Sequence, residues 1–353
     1  MRISQEKNNG ISQWTVLMLV ITLLVQSCGG EYEIADILPE CAGMPNEIYV
    51  FCDHEIWDDT IGVYMRQQIE YGLNNLPQPE ERFTLFQFQQ EGMNNARLTH
   101  RNIIVVEINN RNENQKTRLV RKPNRRAKGQ LRFEFKGQKT KSVLTLLQAE
   151  LPGLLEEISK KELERTQLKF EKRLNKTAQQ QLSDSLSVRL TIPMKLNLIS
   201  NNGDQSGSFA WLEAKGLGPE GKRVLHQGVF VYSYPYVSDS AFSENYLIRR
   251  RDKVLKQNVP GGAPNQYLKT LLLPGKTPEL REINFNGKYA VELRGQYTMH
   301  NGFMGGPFMS LTTLNESENR LVTVEAYCYA PLLRKRDYIK EMEAVVYSLK
   351  FKR

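Results

Sequence analysis

The alternation of apolar and polar positions changes rhythm along the chain, and each change predicts an element. Residues 14–25 form an uncharged, mostly apolar run behind Arg2 and Lys7. Residues 46–52 (NEIYVFC) are a short apolar run rich in β-branched and aromatic residues, which predicts a buried strand. Asp58-Asp59-Thr60 then offers helix-capping side chains, and Ile61, Tyr64, Met65, Ile69 and Leu73 recur at helical spacing up to Leu76-Pro77-Gln78-Pro79. Strands are expected at 83–88, 102–108 and 130–135, the last from the alternation of Leu131, Phe133 and Phe135. A helical stretch follows from about Lys139 to about Gln181, re-started or kinked at Pro152.

The second half has a different rhythm. Strands are expected at 187–199, 209–214 and 224–234, then a helix at 242–257. A meander of strands follows at 290–299, 308–313 and 321–330, with turn signals at Asn301-Gly302 and 315–319, and a closing helix at 337–347. The order predicts an α+β protein: an N-terminal α/β domain with a long helix (46–182), then an antiparallel-sheet α/β/α sandwich (183–353).

Composition adds the address. The chain has 353 residues, 40% apolar and 25% charged, with a mean hydropathy of -0.50, which excludes a multi-span membrane protein. The apolar run at 14–25 is shorter than the roughly 20 residues a spanning helix needs, but has the length of a signal-peptide core. Val25-Gln26-Ser27-Cys28 follows it and resembles the bacterial lipobox. That resemblance implies a signal peptide at 1–27, cleavage before Cys28, and a thioether-linked diacylglycerol on the Cys28 sulfur with a further palmitate-class chain on the new amine. Two lipid signals already hold a protein stably on a bilayer. Residues 28–45 read as the lipidated cysteine and a tether.

The runs NEIYVF at 46–51, RNIIVVEI at 101–108, FAWLEAK at 209–215 and RRRD at 249–252 belong to one pattern. PGGAPNQYLKT at 260–270, RG at 294–295, MGGPF at 304–308, YAP at 329–331 and KRDY with Glu343-Ala344 complete it. Together they resemble an uncharacterised Bacteroidota lipoprotein family, known only as a domain of unknown function. The family implies an envelope location, the outer membrane ahead of the inner, and no activity, cofactor or site residue. The order of elements at 187–353 is also similar to PsbP-like domains, which mostly bind and assemble.

Candidate chemistry is sparse. Asp53-His54-Glu55, with Asp58 and Asp59, lies just past the first strand, where an open α/β sheet often faces a ligand crevice. These groups suit a hard cation or acid/base work. Helix capping and the helix dipole are the plainer account of Asp58 and Asp59. Gly216-Leu217-Gly218-Pro219-Glu220-Gly221 fits a dinucleotide fingerprint on paper, but Pro219 and the strand after it make it a loop. No motif implies a metal or a cofactor.

Residues 111–128 hold eight Lys and Arg against one acid, Glu113, which is most of the formal net charge of +9. Arg118, Arg121, Lys122, Arg125, Arg126 and Lys128 are candidates for contact with anionic headgroups; a solvated loop is the plainer account. In an exported protein, nucleic acid is not the expected partner. Phe303, Met304, Gly305, Gly306, Pro307 and Phe308 are the candidate partner interface, because the glycines allow close approach and Pro307 marks a bulge or edge. The same residues could fill the core beneath the bend. Cys41 and Cys52 could bridge across a short loop, or remain buried thiols like Cys328.

The expectation is a lipid-anchored, non-enzymatic binding or assembly protein of the cell envelope, held to the membrane through Cys28 and partnered by another envelope protein. The alternative is an envelope hydrolase or metal-dependent enzyme built on Asp53, His54 and Glu55.

Overall fold

A computed structural model describes residues 38–352, except 74, 112–114, 205, 206 and 220. The signal peptide, Cys28 and most of the tether therefore lie outside the described residues.

The N-terminal domain is a five-stranded sheet in the order β2-β1-β3-β5-β4, parallel except for the β4 edge. Its strands are β1 (Glu47–Phe51), β2 (Thr84–Phe88), β3 (Asn102–Ile108), β4 (Arg118–Arg121) and β5 (Leu131–Gly137). Helices α1 (His54–Trp57), α2 (Thr60–Ile69) and α3 (Asn95–Leu98) fill the connections, and α4 (Thr140–Glu171) follows β5.

β3 reads as a continuous apolar run because both its faces are covered. Ile104 and Val106 join Phe133 and Phe135 under Ile61, Met65 and Ile69 of α2 and Val143, Leu147, Leu151, Leu154 and Ile158 of α4. Ile103 and Val105 face the other way with Phe51, where Phe88 and Met93 cover them.

The C-terminal domain has an eight-stranded antiparallel sheet, β10-β12-β13-β14-β9-β8-β7, with β11 also on β12. It is built from β7 (Asn197–Asp204), β8 (Gly207–Leu217), β9 (Val224–Pro235), β10 (Tyr267–Thr270) and β11 (Glu279–Phe285), with β12 (Lys288–His300), β13 (Gly305–Asn315) and β14 (Arg320–Tyr329). A separate ribbon pairs β6 (Val188–Arg189) with β15 (Lys350–Phe351).

Alternation along β9 sorts the two faces. Phe230, Tyr232 and Tyr234 pack with Leu247, Ile248 and Leu255 of α6 (Glu244–Asn258). Val229 and Val231 pack with Leu182 and Leu186 of α5 (Lys176–Leu186) and with Ile339, Met342 and Val345 of α7 (Arg336–Val346). The result is helix, sheet and helix in three layers, a mixed α+β protein as the sequence pattern predicts.

Two details depart from the sequence reading. The long helix continues through Pro152 as one element and ends at Glu171 rather than near Gln181, and Asn175 caps a new helix by accepting the Ala178 N–H at 3.1 Å. That second helix packs in the C-terminal core, as Phe170 near the end of α4 already does. The expected strand at 187–199 splits into β6 and β7, because Pro193 has no N–H to give a ladder.

Candidate functional site

The stretch 303–308 divides sharply. Met299 N–H donates to the Met304 carbonyl at 2.8 Å, closing the β12–β13 turn, and Gln266 Nε2 donates to the Asn301 carbonyl at 2.7 Å. Asn301 takes the left-handed conformation the tight turn needs, with φ 54°. Phe303 stands fully exposed on this braced turn, while Met304 and Gly305 are half-buried. Below it Gly306, Pro307 and Phe308 are buried. A Cβ on Gly306 would lie 2.0 Å from the Cys328 carbonyl oxygen, so only glycine fits there. Of the six candidate residues, Phe303 with the edge of Met304 is what a partner can reach; Phe308 belongs to the core.

Phe308 lies under an ion pair that sequence reasoning missed. The Arg251 guanidinium sits 3.9 Å from its ring centroid and donates to both Glu325 oxygens at 2.8–3.1 Å. Arg251 and Glu325 are 1% and 0% exposed. Arg251 Nη1 also donates to Thr270 Oγ1 at 3.1 Å, and Asp252 accepts the Thr270 N–H and Oγ1–H at 2.8 and 2.7 Å. RRRD, QYLKT and MGGPF, separate runs in the chain, thus meet at one buried charge pair.

The second convergence is between the domains. Glu80 accepts the Lys335 and Arg336 N–H groups at 2.7 and 2.9 Å, at the start of α7. Asn46 donates to Asp337 at 2.9 Å, and Gln167 of α4 donates to the Ala344 carbonyl at 3.0 Å. Leu76 lies in the C-terminal core, and its carbonyl accepts from Gln296 Nε2 at 3.0 Å.

An open cleft of about 2090 Å³ runs along this seam, lined by Asn46, Arg82, Arg294, Lys340, Glu343 and Tyr347 among others. Arg294 Nε donates to Glu292 at 2.5 Å and Nη1 to Glu343 at 2.6 Å; Tyr347 also donates to Glu292. Burial pushes the Glu292 carboxyl up, but the charge and hydrogen bonds of Arg294 outweigh it and hold Glu292 below the ordinary value. Lys340 donates to Asn46 Oδ1 and the Arg82 carbonyl, both at 3.2 Å. Burial, together with the Arg82, Arg336 and Arg294 charges, lowers its pKa to about 8 against the pull of Glu343. The signal for this set was present in the RG and Glu343-Ala344 pairs, which carry the family resemblance.

The remaining candidates do not assemble. His54 and Glu55 are exposed on a four-residue helix, and Asp53, before it, makes no side-chain cap bond. None of the three lines the cleft. Among the described residues no group of three or more His, Cys, Asp or Glu side chains is placed to hold a metal ion. Cys41, Cys52 and Cys328 are free thiols, and burial pushes Cys52 and Cys328 up to about 12.

The basic run divides as well. Arg121 pairs with Glu157 and Glu150 of α4, and Lys122 pairs with Glu134 at 2.8 Å. Arg118, Arg125, Arg126 and Lys128 are exposed. No helix among the described residues is long and apolar enough to cross a membrane.

Fold and seam together define a mixed α+β protein whose two main sheets are joined by buried polar contacts. Residues 175–348 match the domain of unknown function DUF4837, and residues 41–171 match the domain of unknown function DUF8532. These matches bear out an uncharacterised domain-of-unknown-function family. No curated protein matches the chain. Among solved structures, the crystal structure of LpqN, involved in cell envelope biogenesis of Mycobacterium tuberculosis, is similar at 12% identity and a TM-score of 0.27, covering 46% of this chain and 82% of its own.

Proposed function

We propose that the chain is a lipid-anchored protein of the cell envelope, held through Cys28 in the outer membrane, whose body binds another envelope protein without transforming it. The observation that carries the binding role is Phe303, a large ring held in water on a turn whose backbone is already fixed. Such a side chain offers a partner an anchor that needs little further ordering. The lipobox at 25–28 and the lipoprotein-family resemblance support the anchor. The strongest ion pairs of the body, Arg251 with Glu325 and Arg294 with Glu343, hold its own elements together.

The test is cross-linking in intact cells followed by mass spectrometry, comparing wild type with Phe303→Asp. The partner should be lost while thermal unfolding stays unchanged. An undiminished cross-link in a folded F303D protein would sink the binding role. Phe308→Asp is no substitute, because it would bury a carboxylate in the core.

A further inference from the structure

The described chain begins beside its most basic turn. Lys128 N–H donates to the Pro39 carbonyl at 2.7 Å, Cys41 N–H to the Lys128 carbonyl at 3.2 Å, and Ala42 N–H to the Thr99 carbonyl at 2.9 Å. The described chain therefore starts against the β4–β5 turn. This turn is shaped rather than loose. Ala127 is wholly buried, Asn124 and Gly129 have φ of 52° and 76°, and Gly129 N–H donates to Asn124 Oδ1 at 2.7 Å. Arg125 and Arg126 stand exposed upon it and, among the described residues, neither has a carboxylate partner, whereas Arg121 and Lys122 at its base are engaged by glutamates.

Eleven steps of chain separate Cys28 from Pro39. Whatever its conformation, a chain of that length reaches at most roughly 40 Å. A lipid on Cys28 thus keeps the turn within reach of the headgroups. Charges are screened beyond a Debye length of about 8 Å at physiological salt, so the attraction acts once the turn comes close to the surface.

We infer that the β4–β5 turn, through Arg125 and Arg126, lies against anionic lipid headgroups of the membrane that carries the anchor. The inference rests on the lipid anchor proposed above and adds an orientation to it. A guanidinium fork pairs with phosphate oxygens, and each basic residue near an anionic surface favours contact by about fivefold. Headgroups are the phosphates that the tether holds permanently beside the turn, which favours them over a soluble polyanion.

The test uses the full lipidated chain on vesicles of phosphatidylcholine alone or mixed with phosphatidylglycerol. Flotation reports the anchor, and amide hydrogen exchange at 124–128 reports the contact. Wild type and Arg125→Gln/Arg126→Gln should float with both vesicles. Exchange should slow on the anionic vesicles only, and the slowing should vanish in the double variant and at high salt. Equal exchange on both compositions in a floating protein overturns the contact and leaves the anchor standing. Wild type that fails to float on neutral vesicles, or Cys28→Ser that still floats, overturns the anchor and the contact with it. Stronger slowing by heparin than by anionic vesicles assigns the turn to a soluble polyanion and likewise overturns the inference.

Discussion

Glu80 and Arg336 are joined across the domain boundary: the Arg336 N–H donates to Glu80 Oε2 at 2.9 Å, and Arg336 Nη1 donates to the neighbouring Glu81 carbonyl at 3.2 Å. A helix leaves its first N–H groups without intrahelical partners, and here the N-terminal domain supplies the carboxylate that satisfies them. The cap and the domain interface are the same bond. Glu80→Ala should therefore lower stability by about 1–2 kcal/mol in urea unfolding. Glu80→Gln, which keeps an acceptor but loses the charge, should cost less. An alanine variant as stable as wild type would contradict the cap.

The Arg251–Glu325 pair makes a second prediction. With one partner removed, the other charge is left dry: Arg251→Met should cost about 3–5 kcal/mol. Replacing both, Arg251→Met with Glu325→Leu, should recover much of that loss, because no unpaired charge remains. A double variant as unstable as the sum of the singles would show that the two do not act as a pair.

Lys340 makes a prediction in pH. Its folded pKa of about 8 lies below the ordinary 10.5, so the folded protein carries a penalty for the charged amine that is complete below pH 8 and fades as pH rises toward 10.5. The stability of wild type relative to Lys340→Met should shift in favour of wild type across that window. Isotope-labelled lysine NMR should show one amine titrating near 8. A difference flat in pH would rule out the depressed amine.

Two glycines should respond in opposite directions. Gly306→Ala forces a Cβ onto the Cys328 carbonyl and should cost several kcal/mol or prevent folding. Gly153 is exposed within α4, and a methyl group there would meet nothing within 4 Å, so Gly153→Ala should stabilise by about 0.5–1 kcal/mol. Thermal unfolding of the two variants reads both signs directly.

Elements with a strong apolar rhythm were legible in the sequence. β3 lies at 102–108 as expected, and the expected meander appears as β12, β13 and β14. Elements held by polar contacts were not. β4 hides within the basic run, since half of Arg118-Leu119-Val120-Arg121 is charge. β10 has only four residues and β11 carries alternating polar residues with little burial, and both take their order from β12 beside them. The break after Glu171 has no Gly or Pro to announce it; the signal was Asn175, a capping residue three before Ala178. The site was harder still. That MGGPF matters was visible, but its division into one exposed ring and one core ring depends on Arg251, which is 57 residues earlier than Phe308 in sequence and in contact with it only after folding.

Helix α4 has 32 residues, about 48 Å of rod. Its first turns lie on the N-terminal sheet, and its last place Phe170 in the other core. A rod shared in this way couples the two cores. Under the anchor proposed above, a pull arriving at Pro39 would reach that rod through the Lys128 backbone bond and the surface Arg121–Glu157 pair, and a partner held at Phe303 would share in it.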